Sequence, residues 1–459
     1  MKDWLPNLDG AGSALYVALA DAIAADIAAG ALAPGDRLPP QRKLAARLGI
    51  DFTTVARGYV EAGRRGLIES TVGRGSFVRR NALVRQSTDR RASAADFSMN
   101  LPPEPDDPDL LARMREGYAS VSRDMVSLLR YQGFGGSPLD RDAASAWLGR
   151  RALVPSQERI FVTPGAHPAL AGIFSLLARA DDAVLCEAIT YPGVRAIAAQ
   201  LGVRLIGVAM DRDGIVVEAL EEAIREHKPK ALYLNPTLQN PTTLTIPERR
   251  RSEICEVARR DGLTIVEDDA YGFIPSHGPP PLAAIAPDIC WHIAGLAKCI
   301  GAGLRLAYVI APDTRSGWSF NSVMRAFSVM ASPLTAAVVT RWIDDGTADT
   351  ILRFIRAETS ARQRIATRFF EPGTYLSDPL SFNLWMPLRN GWTRSAFASH
   401  ARNTGVGIVV SDPFTASGPP PEAVRIGLGG PLTRDRLEHG LEFIAHALDH
   451  PPEVLSGAY

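Results

Sequence analysis

The 459-residue sequence predicts an α/β chain, with a mainly parallel sheet covered by helices over most of its length, behind a small helical block that closes with a hairpin. Three observations carry this expectation. From about residue 159 onward, short apolar runs alternate with helix-length segments, the pattern of strand-helix-strand units. In the first eighty residues, apolar positions recur at helical spacing and give way to two short helical segments and two β-prone runs around glycines. Charge is also unevenly placed: the formal net charge is zero, yet Arg37 to Arg85 holds eleven basic residues against three acidic ones, a balance of +8 that the rest must offset with −8.

The length suits two or three domains at ~100 to 200 residues each, and a hydrophobic share of 46% is ample for real cores. Cys186, Cys255, Cys290 and Cys299 show no metal-ligand spacing and are too few for a disulfide framework, so a reduced cytoplasmic setting is expected. "MKDWLPNLDG" is not a signal peptide. Every long apolar run meets a charge or proline before membrane-spanning length, so no membrane segment is expected.

Leu15, Leu19, Ile23 and Ile27 recur every fourth residue and mark a first amphipathic helix ending near Gly30. After the turn "APGDRLPP", the segment "QRKLAARLG" reads as a short helix closed by Gly49 in a left-handed cap. "DFTTVARGYVEAGRRG" then starts on Asp51 as N-cap and runs to a terminal glycine, giving two helices joined by a tight turn. "LIESTVGRGSFVRR" supplies a hairpin around Gly73, Arg74 and Gly75. The block 1–78 is therefore expected to be a winged helix-turn-helix domain. Its "PGDRLPPQRKLAARLG", "TTVARGYVEAGRRGLI" and "GRGSFV" resemble the GntR family of bacterial transcription regulators.

By that resemblance the second paired helix enters the major groove of double-stranded promoter DNA and the wing reaches the minor groove. Thr53, Thr54 and Arg57 are then candidates for base or phosphate contacts, with Arg42, Arg74 and Gly75 at the backbone and groove edge. Phe52 stands where relatives commonly carry arginine. A solvated basic helix in a structural domain is the weaker alternative, because the +8 block coincides with the fold's reading face.

Residues 79–96, "RRNALVRQSTDRRASAAD", are poor in large apolar side chains and read as a tether. Beyond them "RIFVTP", "AVLCEA", "VRLIGVAM", "ALYLNP", "LTIVEDD" and "LAYVIAP" are strand-like. Ligands of such sheets sit at the carboxyl ends of strands, so the residues that follow each run are the candidates. Gly165, Ala166 and His167 open a helix whose N–H groups suit a phosphate. Tyr191, Asn240, Asp268 and Tyr271 follow three further runs, and Lys298 and Arg305 follow "WHIAGL".

Lys298 is the conspicuous member. The chain has five lysines among 50 basic residues, and this one stands in the apolar "GLAKCIGAGL", where an unpartnered ammonium is costly to bury. A lysine, an aspartate, a tyrosine, an asparagine, an aromatic face and an anion pocket are together what pyridoxal 5′-phosphate requires. Singly, Asp268 can be a surface acid, Tyr191 and Asn240 turn residues and Arg425 a strand-edge charge; in this order and spacing the cofactor set is the better account.

"NPTLQNPT", "VEDDAYGF", "GLAKCIGAGLRLAYV" and "VRIGLG" resemble the class I aminotransferases, whose fold is that of the fold-type I pyridoxal-phosphate-dependent transferases. The resemblance spans 97–459, and implies a large part over about 125–340 and a small α+β subdomain over about 341–459 with 97–124. It implies that Lys298 carries the cofactor, Asp268 pairs with the ring nitrogen, Tyr271 and Asn240 bind the ring oxygen, and Tyr191 stacks on the ring. Gly165, Ala166, His167 and Arg305 would hold the phosphate, Tyr131 would reach the phosphate of a neighbouring subunit, and Arg425 would bind a substrate carboxylate by a bidentate pair. Departures are Gly295 where serine is usual, His167 where glutamine or serine is common, and Ala302 in place of a frequent proline.

A GntR-like winged helix joined to such a domain resembles the MocR subfamily. The implied function is a cytoplasmic, homodimeric transcription regulator that senses pyridoxal 5′-phosphate or an amino compound through an external aldimine at Lys298. The alternatives are an active aminotransferase with a DNA-binding domain, since Lys298, Asp268, Tyr271 and Arg425 are all present, and a repressor with no cofactor.

Overall fold

The computed structural model describes residues 4–6, 15–28, 31–33, 35–64, 67–71, 75–78 and 95–452. Two compact units divide the chain, Met1–Ser93 and Ala94–Tyr459. Arg74 and residues 79–94 of the expected tether lie outside the described residues.

In the first unit, α1 (Leu15–Ala28) packs on α3 (Phe52–Arg64), with α2 (Gln41–Leu48) between them in sequence. Leu19 and Ile23 are fully buried, whereas Leu15 at the helix start is 45% exposed. Gly58 permits the close crossing: a Cβ there would stand 2.7 Å from Leu19. Gly49 closes α2 at φ 66°, donating its N–H to Ala45, and Asp51 Oδ1 accepts from Thr53 N at 2.7 Å to start α3. The strands β1 (Ile68–Thr71) and β2 (Gly75–Val78) form the expected hairpin, Ile68 opposite Val78 and Thr71 opposite Gly75.

The second unit is built on a seven-stranded sheet. Its strands are β3 (Ile160–Thr163), β4 (Ala183–Glu187), β5 (Arg204–Val208), β8 (Ala231–Leu234), β9 (Thr264–Asp268), β10 (Cys290–Gly295) and β11 (Ala307–Ile310), with a minor hairpin of β6 (Met210–Asp211) and β7 (Gly214–Ile215). The order is β3-β11-β10-β9-β8-β4-β5, and β11 alone runs antiparallel to its neighbours. All but β5 and the first residue of β9, Thr264, are buried along the seven strands, which is why most read as unbroken apolar runs rather than alternating ones. Helices Ala166–Leu177, Pro192–Leu201 and Thr314–Ser328 bury one face of the sheet; Pro138–Gly149, Glu248–Arg260, Pro333–Asp344 and Thr347–Ala366 bury the other.

A smaller antiparallel sheet, β12-β14-β13 (Asn383–Pro387, Ala423–Gly427, Val409–Val410), packs with helices Arg394–Asn403 and Arg434–Asp449 around Phe97, Leu384 and Phe397. The stretch 97–124, expected to belong wholly to this smaller part, is divided. Phe97 lies in the small core, but helix Pro108–Val121 contributes Leu110 to the large one, and Gly117 leaves the space that the Trp342 indole fills.

Candidate functional site

The carboxyl ends of β3, β4, β8, β9 and β10 open on a cavity of about 570 Å³. All ten cofactor and substrate candidates other than Tyr131 line it. Tyr131 is 81% exposed and away from the cavity of its own chain.

Strand β9 ends on Asp268, which is buried. Tyr233, on neighbouring β8, donates to its Oδ2 at 2.9 Å, and Asn235 donates to its main-chain carbonyl at 2.6 Å. Oδ1 is buried with no hydrogen-bond partner among the described residues. Burial pushes the carboxyl up to about 6, with the Tyr233 hydrogen bond opposing the rise and the Asp269 charge adding to it. It is therefore mostly ionised at neutral pH. Glu187, at the end of β4, is also fully buried and accepts from Asn235 N at 3.0 Å and Thr190 Oγ1 at 3.2 Å; burial pushes it up to about 8.

Lys298 sits in a π-helical turn, Ala297–Gly301, in the connection between β10 and β11. Its ammonium donates to the Asn100 carbonyl and lies 5.7 Å from the Tyr271 ring centre. Burial lowers the amine to about 8; the Arg425 charge adds to this and Asp268 opposes it. A share of Lys298 is thus an unprotonated nucleophile near neutrality.

Arg425, buried on β14, donates to Asn240 Oδ1 at 2.9 Å and to the Ser98 carbonyl at 2.6 Å, and its Nε has no partner among the described residues. Its guanidinium lies 5.0 Å from the Phe414 ring centre. Asn240 is held from behind, its N–H donating to Asn235 Oδ1 at 2.9 Å. At the opposite end, Gly165 has φ 111° at the start of helix Ala166–Leu177, and a Cβ there would stand 3.3 Å from the Arg305 guanidinium. A helix N-terminus, Arg305 and His167 therefore face one point, an anion-binding arrangement. Burial and the Arg305 charge lower His167, leaving its imidazole neutral. Gly295 also lines this end, and a Cβ on it would meet its nearest neighbours at 3.6 Å, ordinary contact.

Sequence reasoning missed Tyr233, Asn235 and Asn100. Tyr233 precedes the end of its strand by one residue and looks like core; Asn235 stands in "LYLNP" before the proline, where it reads as a turn former. Asn100 comes from a segment distant in sequence, with no local pattern to mark it.

In the first unit Arg42, Thr53 and Arg57 are exposed and Thr54 is half-buried. The Arg57 guanidinium lies 4.3 Å from the Tyr16 ring centre and that of Arg42 5.7 Å from Phe52, so aromatic rings orient both cations. Gly75 has φ 108° and leaves room for Arg37. Among the described residues no helix is long and apolar enough to cross a membrane, and no cluster of His, Cys, Asp and Glu suits a metal ion.

The family model for aminotransferase class I and II matches residues 95–444. The chain belongs to that family. Members of this aminotransferase family work with pyridoxal 5′-phosphate. The model of bacterial regulatory proteins of the gntR family matches residues 15–78, so the family's catalytic fold is here joined to a DNA-binding domain. The chain is similar to the uncharacterized HTH-type transcriptional regulator YdeF of Bacillus subtilis, 29% identical with 97% of each chain covered. It is also similar to the vitamin B6 salvage pathway transcriptional repressor PtsJ of Salmonella typhimurium, 26% identical over 82% of this chain and 86% of the repressor. Among solved structures, the α-aminoadipate aminotransferase LysN of Thermus thermophilus superposes with TM-score 0.70 at 23% identity, covering 85% of this chain and 98% of LysN.

Proposed function

We propose that this chain is a cytoplasmic transcription regulator of the MocR type. It binds double-stranded promoter DNA through 1–78, is tethered by 79–96, and holds pyridoxal 5′-phosphate in 97–459, where an amine effector is sensed. One observation carries this reading: a basic winged helix and a complete lysine, aspartate, tyrosine, asparagine and arginine cavity occur in one chain. Relatives matched over 82% and 97% of this chain are named as a transcriptional repressor and a transcriptional regulator.

The residues fit the cofactor. The unpartnered Oδ1 of Asp268 is a buried acceptor for a protonated ring nitrogen, and the Gly165–Arg305 corner takes a phosphate with Ala166 and His167. Tyr191, which lines the same cavity, would stack on the ring. Asn240, whose Oδ1 is committed to Arg425, keeps its amide Nδ2 for the ring oxygen, beside the Tyr271 hydroxyl. Lys298 would carry the cofactor through its neutral amine, and Arg425 would bind the effector's carboxylate. Bound there, the cofactor supplies an electrophilic carbonyl for amines and an electron-withdrawing ring.

A homodimer is supported by exposed apolar side chains, Met125, Val126, Leu129 and Tyr131, beside Phe327 and Val329. The two segments are held together where Gln132 N meets Met330 Sδ at 3.4 Å. A second copy on this face covers the patch and brings Tyr131 to its partner's phosphate corner.

The second reading, an active aminotransferase, is favoured by Lys298, Asp268, Tyr271 and Arg425 lining one cavity. Incubation of purified protein with amino acids and 2-oxo acids separates the two. Specific binding to the chain's own upstream DNA with at most one turnover per site supports the regulator; sustained oxo-acid production without specific DNA binding supports the enzyme.

A further inference from the structure

The front of α3 is built around a capped turn. The Asp51 carboxylate accepts from Thr53 N at 2.7 Å and from the Thr53 hydroxyl, and the Asp51 carbonyl accepts from Thr54 N at 3.1 Å. The Thr53 hydroxyl proton is thereby committed within the protein. Thr53 and Arg57 are exposed and Thr54 and Ala56 half-buried, while Phe52, at the first helical position, is 42% exposed. Val55 of the same turn is fully buried, so Phe52 is the one large apolar side chain that this turn leaves in water. Its ring has a fixed neighbour: the Arg42 guanidinium, in the first turn of α2, lies 5.7 Å from the ring centre. Arg42, Lys43 and Arg47 are exposed on α2 and Arg57 on α3, so the ring projects from a surface whose cations suit a polyanion.

In a helix-turn-helix domain the N-terminal residues of the second helix are those that reach base edges in the major groove. A phenyl ring has neither donor nor acceptor, so it cannot read a hydrogen-bonding pattern there. The apolar group that the major groove presents is the C5-methyl of thymine. Covering that methyl takes apolar surface of both partners out of water, whereas cytosine sets a polar amino group near the ring. We propose that Phe52 is a specificity-determining residue that covers a thymine methyl of the operator, with Arg42 steadying the ring. The proposal rests on the reading of 1–78 as a promoter-binding domain and names a base which that domain selects.

Duplexes that the full chain enriches from a random pool supply the sites for the test. Thymines of an enriched duplex are replaced one at a time by uracil, which lacks only the C5-methyl and keeps every hydrogen-bonding group. Affinity is read by fluorescence anisotropy at fixed salt. Wild type is expected to lose affinity roughly threefold to tenfold at one thymine, the effect of one uncovered methyl at a read base. Phe52→Ala is expected to bind the thymine duplex as weakly as wild type binds the uracil one, and to be insensitive to that replacement. Phe52→Arg is expected to move the enriched base at that position to guanine, whose major-groove edge takes a bidentate arginine. Both variants keep the Asp51 cap, and an unchanged melting temperature checks that they fold. If wild type tolerates every replacement, or Phe52→Ala keeps wild-type sensitivity to them, the thymine contact is wrong and the DNA-binding reading stands. If no sequence is enriched and the chain's own upstream DNA is not bound, both are wrong.

Discussion

Tyr233 donates to Asp268 Oδ2 at 2.9 Å, and the other oxygen of that carboxylate has no partner among the described residues. The phenol fixes the carboxylate's rotation so that one buried lone pair faces the cavity. Removing the charge with Asp268→Asn takes away a charge-assisted hydrogen bond worth on the order of 1.5–3 kcal/mol. Cofactor affinity is expected to fall roughly tenfold to a hundredfold, measured by absorbance titration; Tyr233→Phe is expected to fall less, because the charge remains.

In the proposed function, attachment of the cofactor at Lys298 needs the unprotonated amine, since the ammonium has no lone pair. With the amine held at about 8 rather than 10.5, the attachment rate rises with pH, reaches half its maximum around 8 and levels above it. Stopped-flow absorbance across pH measures this. A midpoint near the ordinary lysine value would contradict the burial argument.

Gly295 faces the anion corner with room for a side chain. Gly295→Ser is expected to add a hydroxyl donor at the phosphate and tighten cofactor binding by about 0.5–1.5 kcal/mol, roughly twofold to tenfold. Equal or weaker binding in a folded variant would show that the phosphate lies elsewhere.

Arg57 stands on the exposed face of α3 with its guanidinium against Tyr16. Arg57→Ala is expected to weaken binding to the chain's own upstream DNA and, if it contacts a phosphate, to reduce the salt slope of log K by about 0.9. The cofactor spectrum should not change.

Much of this was legible in the chain because periodicity and strand ends are local signals. The six runs from "RIFVTP" to "LAYVIAP" hold six of the seven strands of the large sheet, β10 being the seventh, and ten residues at or after strand ends, or in motifs, line one cavity. What escaped depends on contacts distant in sequence. Asn100 meets Tyr271 across 171 positions, and Arg425 meets Ser98 across 327, separations at which no spacing rule operates. Helix Pro108–Val121 joins the large core through a contact equally distant in sequence: only the fold shows that Gly117 lies under Trp342.

The central claim is that one chain couples the lysine cavity to promoter binding. The most direct measurement is the affinity of the full chain for its own upstream DNA, without cofactor, with pyridoxal 5′-phosphate, and with cofactor plus amine, in wild type and Lys298→Ala. A change of severalfold or more in wild type that is lost in Lys298→Ala is the predicted result. Specific DNA affinity that is the same in all three states would contradict it.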